Sequence, residues 1–92
     1  MTAAITIIKD EHRALAAVLQ GLLYLNEHGA AAVVQGIAAR RVGATWDELR
    51  GVVHLVSMLH GLPGANRGDE FLTALAERER EDRIAGAVAA YG

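Results

Sequence analysis

Gly43-Ala44-Thr45-Trp46-Asp47-Glu48-Leu49 and, further on, His60-Gly61-Leu62-Pro63-Gly64-Ala65 decide how this chain folds. Gly43 follows Arg40-Arg41, a basic pair suited to the carbonyl end of a helix, and supplies the left-handed position that closes one. Thr45 and Glu48 have the spacing of a capping box. The Thr45 hydroxyl accepts from the Glu48 amide, and the Glu48 carboxylate accepts from the Thr45 amide. A helix from Trp46 to about His60 follows, with Leu49, Val53, Val56 and then His60 along one stripe. Gly61 and Pro63 stop it, because a proline disfavours helical geometry at the residue before it. From Asn26 to Ala76 the chain therefore reads as helix, glycine stop, capped helix, Gly-x-Pro break, helix.

Upstream, Ile5, Ile8, His12, Leu15, Leu19 and Leu22 recur at helical spacing and predict a first helix from about Ala3 to Leu25. His12 is the one polar member of that seam. Asn26 and Gly29 mark the first turn, and a second helix runs from Glu27 or Ala30 to Val42, with Val34, Ile37 and Ala38 inward. Downstream, Phe71, Leu72 and Leu75 open a last helix that starts near Asn66 or Asp69 and runs toward Ala90. Its charged run, Glu77 to Arg83, pairs acids and arginines at i,i+3 and i,i+4 and reads as a solvated face. Ile84, Val88 and Tyr91 then resume the apolar spacing and suit docking on a neighbouring subunit. No strand alternation appears, so the expectation is one all-α domain, a small bundle of about four helices.

Ninety-two residues support a single small core. Hydrophobic residues make up 52% of the chain, but aromatics only 4%, so much of that core is alanine and buries little area per residue. Apolar burial is worth roughly 25 cal/mol per Å², which leaves such a chain marginal alone and favours a homo-oligomer. The net charge is −2, and no dense basic stripe exists to recruit nucleic acid or an anionic membrane. With no cysteine, disulfides, thiolate metal sites and thiol redox chemistry are excluded. No segment reaches the ~20 apolar residues of a membrane span, and a cytoplasmic location is expected.

The Gly-x-Thr turn at Gly43-Ala44-Thr45, the capping box and the Gly61-Leu62-Pro63 break together resemble the carboxymuconolactone decarboxylase and AhpD-like family over residues 26–76. The AhpD branch of that family carries a Cys-x-x-Cys-x-x-x-His motif ahead of the turn. Laid on this chain, the motif falls at His28, Ala31 and Gln35, and the upstream glutamate falls near Ala16, with Glu11 the nearest acid. A thiol peroxidase is thereby ruled out. The decarboxylase branch implies a cofactor-independent lyase acting on a small carboxylated or lactone substrate, in a trimer or hexamer. The implied pocket is lined by His28, Gln35, His60 and Trp46, with His28 or His60 carrying the proton. Glutamine at position 35 can hydrogen-bond such a substrate but exchanges no proton near neutral pH.

A second resemblance covers about residues 4–25. Ile8-Lys9-Asp10-Glu11-His12-Arg13 is similar to the opening helix of hemerythrin-type HHE domains, whose Glu-His-Arg histidine is an iron ligand. It implies metal or oxygen binding, with iron or zinc at His12 joined by His28 and His60. None of His28, His54 and His60 is followed by an acid at i+3 or i+4, the spacing that further diiron ligands adopt. Backbone-bonded core histidines at His12 and His60, and a solvated Glu11, are the plainer reading of the same residues. The third alternative is a non-catalytic interaction protein whose site has decayed.

Overall fold

In a computed structural model of the protein, which describes residues 10–24 and 32–91, Gly61 stands out as a single non-helical residue inside a helix of 46 residues. Its dihedrals (φ 66°, ψ −147°) lie in a region essentially reserved for glycine. The chain forms three helices, α1 (Asp10–Tyr24), α2 (Val33–Arg41) and α3 (Trp46–Tyr91), and the described residues contain no strand. The fold is all-α. The third and fourth helices expected from the sequence are joined through the Gly61 break into one element. The second arm resumes directly after Gly61 rather than near Asn66 or Asp69, with Pro63 in its first turn, where the missing N–H has no intrahelical acceptor to lose.

The Gly43 turn forms as a Schellman motif. The Ala44 amide donates to the Ala39 carbonyl at 2.9 Å and the Gly43 amide to the Arg40 carbonyl at 3.2 Å, with φ 103° at Gly43. The capping box forms as well. Thr45 N–H donates to Glu48 Oε1 at 2.9 Å, and Glu48 N–H donates to Thr45 Oγ1 at 3.1 Å.

Ten apolar residues are buried together: Val18 and Leu22 of α1; Ala32, Ala39 and Ala44 around α2; Leu49, Val52 and Val56 of the first arm of α3; and Phe71 and Leu75 of its second arm. α1 packs on both other helices. The expected faces are rotated in two places. On α1 the core side runs through Val18 and Leu22, which leaves His12 exposed. On α2 the inward residues are Gly36 and Ala39, whereas Val34 is 72% exposed and Ala38 is exposed. The reason is Phe71: a β-carbon at Gly36 would sit 2.8 Å from its ring. The bulk comes from α3, so α2 must present its smallest residues there. His60 also lies at the surface, off the buried Leu49, Val52, Val56 stripe.

The two arms of α3 meet closely beyond the break. A β-carbon at Gly64 would lie 2.7 Å from the Val56 carbonyl oxygen, and one at Gly68 would overlap the Val53 side chain. Glycines at these two positions, one helical turn apart, let the second arm fold back on the first. Among the described residues, no helix is long and apolar enough to cross a membrane. The expected start of the first helix at residues 3–9 and the turn at Asn26 and Gly29 lie outside the described residues.

Candidate functional site

The end of α2 and the charged run of α3 enclose a groove of about 440 Å³ under the Gly43 turn. Ile37 forms its apolar floor; Arg40, Arg41 and Arg83 face Glu79 and Asp82 around it. Arg40 anchors the groove. Its Nε donates to Glu79 Oε1 at 2.8 Å, and its Nη1 donates to the Ala44 carbonyl at 2.8 Å. Its guanidinium also lies 4.8 Å from the centre of the Trp46 ring, a stacking that the planar, weakly hydrated arginine favours. The Arg40 and Glu79 side chains are each mostly buried, at 30% and 24% exposure. The basic pair at the end of α2 is thus divided: Arg41 is exposed, but Arg40 ties α2 to α3.

Arg41 and Arg83 have no ion-pair partner among the described residues, and both are exposed at the groove. Thr45, the N-cap of α3, lines the same wall. The positive end of a helix therefore adds to two uncommitted guanidinium groups. Such a wall can hold a small anion, above all a planar carboxylate that a guanidinium grips with two parallel bonds.

The site residues expected from the sequence do not all meet here. Trp46 is half-buried beneath Arg40 and also borders a second groove with Arg50, Leu72, Thr73 and Ala76. Gln35 is half-buried on α2, and its Oε1 is buried with no hydrogen-bond partner among the described residues. Gln35 lines none of the grooves described. His60 is exposed beside the Gly61 break and lines none of the grooves described. His28 lies outside the described residues. His12 is exposed at the start of α1, but its neighbour Glu11 is not the solvated side chain expected. Glu11 is only 23% exposed, with Oε1 at 3.9 Å from His12 Nε2. His54 is exposed.

Sequence reasoning missed the parts of the groove that come from distant segments. Arg40 and Glu79 are 39 positions apart, and a charged run at helical spacing gives no sign of which acid will turn inward. Comparison of the chain with protein-family models, with curated proteins and with solved structures finds no match.

Proposed function

We propose that this protein is a carboxymuconolactone decarboxylase/AhpD-like helical protein without peroxidatic cysteines, which binds a small carboxylated or lactone ligand and acts as a homo-oligomer. The observation that carries this reading is the groove at the Gly43 turn, where Arg41 and Arg83 have no ion-pair partner among the described residues and stand beside the start of α3. The ligand's carboxylate pairs with these two arginines, and Ile37 meets its apolar part. Where turnover accompanies binding, the family resemblance gives His28 or His60 as the proton carrier and Gln35 as the hydrogen-bonding group, with no cofactor required, although neither His60 nor Gln35 lines this groove.

Assembly as a trimer or hexamer has its own support. Leu55, Met58 and Leu59 follow the i, i+3, i+4 pattern of one face on the first arm of α3, and all three are exposed, as is Leu62 just beyond the Gly61 break. An apolar stripe of this kind on so small a chain marks an interaction surface. Ile84 and Val88 are exposed further along α3 and extend the apolar surface open to a partner.

Isothermal titration with a short aliphatic dicarboxylate tests the groove. The wild-type chain is expected to bind it, and the double substitution Arg41→Ala with Arg83→Ala to weaken binding by about 10-fold or more, since a charge-assisted pair is worth about 1.5–3 kcal/mol. Binding that survives both substitutions would place the ligand elsewhere, and no heat at millimolar dicarboxylate would remove the reading.

A further inference from the structure

Away from the groove, metal-ligating side chains from two helices converge at the other side of the Gly43 turn. Glu11 and His12 lie in the first turn of α1 and Glu48 in the first turn of α3. One ligand atom from each falls within 4.8 Å of the other two. Backbone features hold two of the three. Glu48 is aimed by its capping bond to Thr45 N–H. Glu11 rests against the turn, where a β-carbon on Gly43 would lie 3.1 Å from its Oε2. His12 is the adaptable member, with 56% of its side chain exposed.

A divalent cation placed among two carboxylates and an imidazole attracts all three ligand atoms. We infer that Glu11, His12 and Glu48 form a mononuclear site for a first-row divalent transition metal. An imidazole beside two carboxylates suits zinc, cobalt or iron, whereas magnesium and calcium prefer oxygen ligands throughout. Ligands about 2.0–2.2 Å from a tetrahedral ion stand roughly 3.3–3.5 Å apart, so the three side chains draw inward on binding. The exposed His12 has room to do so. Three protein ligands leave a position open to water. The site differs from one built on His12, His28 and His60: among the described residues the ligating partners of His12 are carboxylates, and His60 joins no such group. It stands independently of the carboxylate groove.

The test is titration of chelator-treated, full-length protein with Zn²⁺ by calorimetry and with Co²⁺ by visible absorption. One equivalent per chain is expected, with the Co²⁺ spectrum showing nitrogen and oxygen ligation. His12→Ala is expected to weaken affinity by more than about 10-fold, because even groups that only orient a ligand contribute 10–100-fold. Glu48→Gln is expected to weaken it likewise while keeping the helix start, since glutamine also completes a capping box. Unchanged far-UV circular dichroism then separates lost ligation from lost fold. Absence of Zn²⁺ and Co²⁺ uptake, or uptake insensitive to either substitution, would overturn the inference.

Discussion

Phe71→Ala is expected to destabilise the protein by about 3–5 kcal/mol, the range for removing a buried aromatic ring from a core. Phe71 is the one phenylalanine in the chain and is fully buried where α2 and the second arm of α3 meet. A domain of this length has a total stability of roughly 5–14 kcal/mol, so the loss takes a large share of it. Gly36, which faces the ring, cannot fill the space, because it has no side chain. Urea unfolding followed by circular dichroism at one fixed protomer concentration reads the change, since association shifts apparent stability. A companion measurement gives the reason. Gly36→Ala alone pushes its β-carbon against the ring, while Gly36→Ala combined with Phe71→Leu is expected to cost less than the two single changes added together. Additive costs would mean that the two positions do not share the contact.

The second large effect comes from the elbow of α3, where one substitution takes opposite signs at two glycines. Gly64→Ala is expected to cost about 1–3 kcal/mol, the usual penalty of overpacking. The new methyl would meet the Val56 carbonyl oxygen at 2.7 Å and His60 Cβ at 2.8 Å. The carbonyl is part of the backbone and cannot rotate aside, so the two arms must part. Gly86→Ala is expected instead to stabilise by about 0.5–1 kcal/mol, the ordinary helix preference for alanine over glycine. Gly86 lies within the second arm with nothing within 4 Å of the added carbon. Thermal unfolding of both variants against wild type, at matched concentration, checks the pair. Equal shifts of the same sign would show that the arms do not close on Gly64.

The features legible in the sequence were those that local chemistry determines. The Gly43 stop, the Thr45–Glu48 capping box and the Gly61 break each need only a few adjacent residues of the right kind, and each forms where its residues stand. The helix faces were less legible. On α1, Leu15, Leu19 and Leu22 and the neighbouring row Ala14, Val18 and Leu22 both fit helical spacing, and only the packing partner buries Val18 while leaving Leu15 and Leu19 partly exposed. On α2, hydrophobicity pointed to Val34, but the inward position went to Gly36 because a ring from another helix fills that space. Of the groove, Arg40 and Arg41 were legible only as a basic pair at a helix end, whereas Arg83 in the groove and the nearness of Glu48 to Glu11 and His12 depend on tertiary contacts that no local pattern announces.

Assembly and ligand binding stand together in the proposed function, and one measurement reads both. Native mass spectrometry of the full chain, with and without a short aliphatic dicarboxylate, reports subunit number and bound ligand in a single spectrum. A trimer or hexamer that takes up the dicarboxylate, and that falls to monomer on Leu59→Glu, is the predicted result. A wild-type monomer that takes up no dicarboxylate would contradict it.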